Sequence, residues 1–356
     1  MPSADQNNFD LLRLTFAMMV CLVHAHELSG LASLQVLSAV ISSAVAVKCF
    51  FVVSGFLIVI SCERSHTLAS YAGKRVRRIY PAYLLVIFAC ALLLPWTFQQ
   101  DGARYFSREW FRYLVVNGVF LNFLQPGLPG VFADNRIQAI NGALWTLKIE
   151  VLFYIAVPFI VVAMRRWGRL QVLAILYLLS VAYASVLLHA ADRTGSGMFA
   201  ELARQLPGQL SYFMAGAFYA CFFGVLKTKM SLLMLVSAAV LTVHAFIPLP
   251  LLEPFALGSL VMVLAYARPL GHFSRFGDFS YGLYIVHFPI IQLWLSSGLL
   301  QDAPWLFLAT VVASSLACAA LLWHAVEKHF LARSNHYLSE AQRADTLVAT
   351  KPGRAT

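Results

Sequence analysis

Residues 9–28 read FDLLRLTFAMMVCLVHAHEL. A helix of about 20 residues crosses the roughly 30 Å hydrocarbon core of a bilayer, and this run is apolar for most of its length. Arg13 and His24 lie inside it. Eleven helical steps of about 100° end within about 20° of three full turns, so the two side chains leave one face, roughly 16 Å apart along the axis. They can line one channel. An ionisable group near the centre of a lone span costs roughly 3 kcal/mol, which points to a polar interior; snorkelling of Arg13 to the membrane surface is the equally weighted alternative. His24, with Glu27 close by, favours a functional reading, because a histidine satisfied by packing seldom shares a stripe with a buried arginine.

The rest of the chain extends the pattern. Of 356 residues, 60% are hydrophobic and 12% charged, against about 25% charged in an ordinary soluble domain. Further helices are expected at Ala44–Cys62, Ala82–Phe98, Ala143–Met164, Leu170–His189, Pro207–Leu226, Met230–Ile247, Phe255–Ala267, Phe279–Ser297 and Trp305–Val326. The predicted fold is an all-α polytopic membrane bundle of about ten spans. Tyr113–Leu124 is too short to cross and is placed as an interfacial or re-entrant piece on the outer side. The formal net charge is +10, and its Lys and Arg cluster between apolar runs, a topology signal rather than a nucleic-acid surface. Arg64 and Lys74–Arg78, then Arg165, Arg166 and Arg169, then Lys227 and Lys229, then Arg268 and Arg275 fall on one face with the tail. The positive-inside rule makes that face, and both termini, cytoplasmic. Arg104, Arg108 and Arg112 stand against the rule. The N-terminal run lacks a cleavage site and is expected to stay as an anchor. One domain, residues 1–328, followed by a polar cytoplasmic tail, 329–356, is the expected organisation. Six cysteines without paired spacing read as packing residues.

Ionisable residues inside later spans sharpen the case for a cavity: Lys48, Lys148 and Glu150. Unpartnered, their combined cost with Arg13 and His24 would rival the stability of a whole domain. Glu150 can orient a histidine or pair with Lys48 or Lys148, and a site is favoured. The stretch Lys74–Tyr83 (KRVRRIYPAY) has the composition of a topological stop signal, which is the preferred explanation on charge alone; its forked guanidinium groups also suit phosphate. Tyr281, Tyr284 and His287 form a stripe that reads first as helix packing, as do Ser54 and Gly55. His24 and His26 point to opposite sides of a helix, so no metal site is expected. No nucleophile elbow, phosphate loop or dinucleotide fingerprint occurs.

Five elements in order resemble the acyltransferase 3 family of integral membrane acyltransferases. They are Arg13 with His24, Phe50–Ile58 (FFVVSGFLI), Arg75-x-x-Arg78-Ile79-x-Pro81-x-Tyr83, Leu144–Leu147 (LWTL) with Glu150, Phe153 and Tyr154, and Ser280-Tyr281-x-x-Tyr284-x-x-His287. The resemblance implies acetyl-CoA as cytoplasmic donor and an extracytoplasmic glycan hydroxyl as acceptor. It implies a cell inner membrane protein acting on O-antigen, lipopolysaccharide, exopolysaccharide or lipo-oligosaccharide. It gives functional weight to Arg13, His24, Arg75, Arg78 and Glu150.

The combined expectation is that coenzyme A phosphates dock on Arg75 and Arg78 while the pantetheine arm passes Arg13. The thioester then reaches His24, which acts as general base with Glu150 or Glu27 orienting its ring. A covalent acetyl-histidine is the competing chemistry. The rival function is a transporter or flippase for a lipid-linked glycan; a non-enzymatic assembly partner ranks last. The bilayer, acetyl-CoA and the glycan are the expected partners, a homodimer is left open, and residues 99–141 are expected to set acceptor choice.

Overall fold

A computed structural model describes residues 7–97, 105–267 and 277–331. The polar tail from residue 332 onward lies outside these, as do Arg104, Arg268 and Arg275. The described residues form helices and turns, with no strand among them. Ten helices of 14 residues or more carry the architecture: α1 (Phe9–Ser29), α2 (Ser43–Glu63), α3 (Leu68–Thr97), α4 (Trp145–Trp167), α5 (Arg169–Thr194), α6 (Leu206–Leu226), α7 (Met230–His244), α8 (Glu253–Tyr266), α9 (Phe279–Ser296) and α10 (Pro304–Leu322). Seven helical segments among the described residues are long and apolar enough to cross a membrane, and the chain is an all-α polytopic membrane protein. α6 and α7 share one such segment, broken at Lys227–Lys229. α8 is short at 14 residues, and α9 is diluted by buried polar groups, among them His287 and Gln292.

The helices alternate in direction, and cross-contacts fix which ends meet. Asn8, at the start of α1, donates to Ala265 O near the end of α8. Arg169 at the start of α5 pairs with Glu63 at the end of α2, 2.8 Å apart. Tyr71 near the start of α3 donates to Tyr154 O in α4. The basic gaps resolved in the structure therefore gather at one end. Glycine sets the tightest crossing: a Cβ on Gly55 of α2 would strike Phe213 O of α6, and one on Gly216 of α6 would strike Val52 O. Small residues let two backbones approach where lipid offers no hydrophobic drive between helices, so the packing role expected of Gly55 holds.

Two segments depart from expectation. α3 begins at Leu68, well before Ala82, and runs for 30 residues through the basic cluster and Pro81. At about 1.5 Å per residue it is longer than a bilayer core, and Lys and Arg are good helix formers, so charge does not end it. Helical spacing then sorts the cations: Arg75 and Arg78, three apart, are buried, whereas Lys74 and Arg77 are half-exposed. The apolar patch Tyr113–Leu124 contributes to an 11-residue helix, Arg108–Gly118, and a single turn, Asn122–Leu124. It lies along the second half of α3, where Trp110 Nε1 donates to Ala91 O and Tyr83 Oη to Asn117 O. The following loop is anchored on α9: Asn135 Nδ2 donates to Gln292 Oε1 at 3.0 Å, and Gln292 Nε2 donates to Ala139 O at 2.9 Å. Cys21, Cys49 and Cys90 are buried as expected of packing residues, but Cys318 is exposed.

Candidate active site

α1, α2, α3, α4 and α9 line a narrow cavity of about 60 Å³. Arg13, Arg75, Arg78 and Glu150 line it, together with Ser54, Thr146, Tyr281 and Tyr284. Convergent polar groups in an apolar-walled cavity are the usual lining of a small-molecule site.

Its charged end is organised by a residue that sequence reasoning passed over. Asp278, the N-cap of α9, takes Arg13 Nη1 at 2.6 Å and Arg78 Nη2 at 2.5 Å on the same Oδ2. Its other oxygen accepts from the Ser280 backbone N–H and hydroxyl. Gly277, at φ +113°, supplies the turn that aims Asp278 inward, and a Cβ there would collide with the Trp323 indole. A π-helical turn, Trp323–Glu327, brings Glu327 Oε2 to 3.5 Å from Arg78 Nη1. Arg75 meets different chemistry: its Nη2 donates to Ser61 Oγ at 3.0 Å, and its guanidinium lies 5.6 Å from the Tyr154 ring centroid. An Asp two residues before a Ser at the head of an apolar run is a helix-cap signature, the one sequence signal that marked Asp278. Glu327 carried none, because it reads as the polar boundary of the last span.

The other expected site residues divide. Glu150 Oε1 accepts from Tyr154 Oη at 2.6 Å. It pairs with neither lysine: Lys48 binds Glu253 at 2.6 Å and Lys148 binds Gln205 at 2.7 Å. Arg13 lines the cavity and His24 does not, so the one-channel expectation is corrected. An aromatic layer separates them, because Phe50 and Tyr284 meet edge to face and Tyr284 Oη is 2.6 Å from Thr146 Oγ1. Beyond Tyr284, His24 Nδ1 lies 2.9 Å from His287 Nε2. Glu27 stands 3.9 Å from His24 Nε2, outside hydrogen-bond range. Neither carboxylate named from the sequence holds the ring; His287, read there as packing, does. Among the described residues no group of three or more His, Cys, Asp or Glu stands together as a metal site.

Residues 6–324 match the family model described as an acyltransferase domain. The chain belongs to the acyltransferase 3 family. Within the matched range, Arg13, Arg75, Arg78, Tyr281 and Tyr284 line the cavity. The chain is 29% identical to an O-acetyl transferase of Shigella phage Sf6 over 340 residues, covering 94% of this chain and 98% of the relative. It is 27% identical to nodulation protein 10 of Rhizobium leguminosarum bv. viciae over 357 residues, covering 92% and 93%. No solved structure matches the chain. The protein is a multi-pass membrane acyltransferase.

Proposed function

We propose that this acyltransferase 3 protein moves an acetyl group from acetyl-CoA on the cytoplasmic side to a hydroxyl of an extracytoplasmic glycan, in the bacterial inner membrane. The carrying observation is the cavity with three arginines at one end and, one aromatic layer past its other end, a histidine pair. The name of the Sf6 phage relative supports acetyl as the group moved. Basic residues at the Arg75 end support its cytoplasmic placement.

Donor phosphates meet Arg75 and Arg78, the two buried arginines of α3, and the pantetheine arm passes Arg13. Asp278 accepts from Arg13 and Arg78, and Arg75 donates to Ser61 Oγ beside the Tyr154 ring. The acetyl thioester lies toward Tyr284, and the Phe50–Tyr284 layer must part for it to meet His24. The acceptor approaches from the other side of His24, where Arg136 of the long loop donates to Glu27 O.

His24 takes the acceptor hydroxyl's proton as its oxygen bonds to the thioester carbonyl carbon. The carbon–sulfur bond breaks, and the leaving thiolate recovers the proton from His24, giving the ester and free coenzyme A. Purified protein in lipid nanodiscs, given labelled acetyl-CoA and envelope glycans, is expected to release thiol and label glycan in equal amounts. Movement of glycan with no thiol released would establish the transporter instead. Mixing with donor alone distinguishes direct transfer from a covalent route, since stable label on His24 would replace the base role with a nucleophilic one.

A further inference from the structure

The stripe on α9 ends at His287, whose side chain is wholly buried. Its Nδ1 lies 3.1 Å from the carbonyl oxygen of Leu283, one turn back on the same helix. A carbonyl oxygen only accepts, so Nδ1 carries the proton of the neutral ring and Nε2 keeps a lone pair. His24 Nδ1, 2.9 Å from that Nε2, must then be the donor. The network thus assigns His24 its tautomer: proton on Nδ1, lone pair on Nε2.

The ring geometry agrees. The centroids are 5.2 Å apart and the planes differ by 18°, while the two nitrogens are only 2.9 Å apart. Two rings lying face on face would show similar centroid and nitrogen separations. The large difference requires both ring radii to lie along the nitrogen–nitrogen line. The rings therefore meet edge to edge and nearly coplanar, with the N–H of one aimed along the lone pair of the other.

We propose that His287 is a positioning residue for acyl transfer, holding His24 with its Nε2 lone pair turned to the acceptor through a relay anchored on the Leu283 carbonyl. This rests on His24 being the base. In the other tautomer Nε2 would already carry a proton, and the atom that must accept would be blocked. Throughout the step set out above, the acceptor's proton enters and leaves at Nε2. The Nδ1 proton stays on His24, donated to His287, and the ring returns to its starting tautomer. A neutral acceptor there also gives the imidazolium a hydrogen bond when it forms, without a buried carboxylate. The same arrangement, an imidazole oriented through its second nitrogen, serves the Ser-His-Asp hydrolases, where an aspartate does the holding.

Two amides test the relay. The glutamine side chain reaches about as far as imidazole Nε2 and the asparagine side chain only as far as Nδ1. His287→Gln therefore keeps an acceptor for His24, and His287→Asn does not. With labelled acetyl-CoA and envelope glycans, kcat of His287→Asn is expected to fall on the order of 100-fold, with KM for acetyl-CoA unchanged. His287→Gln is expected to recover to within about 10-fold of the unaltered protein, a gap on the scale of a lost hydrogen bond. An asparagine variant as active as the unaltered protein, or a glutamine variant no better than asparagine at equal melting temperature, overturns the relay. His24→Ala alongside separates the two ideas: if it is active the base reading fails, and if it is inactive while His287→Asn works only the relay fails. Ring-nitrogen NMR of the unaltered protein needs no variant, and is expected to show His24 protonated at Nδ1 and bare at Nε2. The reverse pattern overturns the relay.

Discussion

The two ends of the site solve the same problem with different chemistry. At one end Arg13 and Arg78 are fixed by charge, both on a single oxygen of buried Asp278. At the other end His24 is fixed by a neutral ring, itself fixed by a backbone carbonyl. A carboxylate suits cations whose protonation never changes; a neutral ring holds His24 without adding a buried charge beside it. In the proposed function the charged end binds the donor and the uncharged end reacts, with the contact of Phe50 and Tyr284 between them. Neither Glu27 nor Glu150 is hydrogen-bonded to the His24 ring among the described contacts.

That contrast can be broken at either end. The largest effect is expected at His24: His24→Ala should lower acetyl transfer by about 100- to 10,000-fold, while equilibrium binding of acetyl-CoA stays within a few-fold. Loss of donor binding in that variant would show that the two ends are not separate. Next comes Asp278→Ala, which leaves two guanidinium groups without their shared partner. Breaking a buried pair costs about 3–5 kcal/mol, so a lowered melting temperature and reduced membrane yield are expected, and Asp278→Asn should lose less. Arg75→Ala should raise the apparent KM for acetyl-CoA by about 10- to 100-fold, on the scale of one charge-assisted hydrogen bond. Arg75→Lys should recover only part, because an ammonium lacks the fork. An unchanged KM would return Arg75 to a topological role. The smallest effect is at Tyr284→Phe, which removes the bond to Thr146 at a cost of about 1 kcal/mol. A few-fold change in kcat would mark the aromatic layer as a partition that opens; a change in donor KM alone would mark it as a wall.

Much of this was legible before any coordinates. Apolar run lengths determined the all-α membrane fold and nearly every long helix, because a bilayer leaves the backbone no alternative but internal hydrogen bonding. Arg13 was singled out by its eleven-residue spacing from His24, and the Arg75/Arg78 pair by the family resemblance rather than by charge pattern. Charge composition misled at α3, where a cluster that looks like a loop boundary lies within a helix and sends two of its cations inward. His287 was set aside as packing, because an aromatic stripe looks the same whether its last ring is inert or holds a catalytic one.

The sequence by itself, then, determined which segments are helical, which helices carry buried charge, and which family motifs are present. Only the tertiary structure decided who partners whom. Asp278 is 265 residues from Arg13 and 200 from Arg78, and His287 is 263 from His24. Periodicity reports the face a side chain leaves from. Which other face it meets depends on how ten helices pack, and that is set by close contacts such as Gly55 on Phe213 and Gly216 on Val52, which no single segment can express.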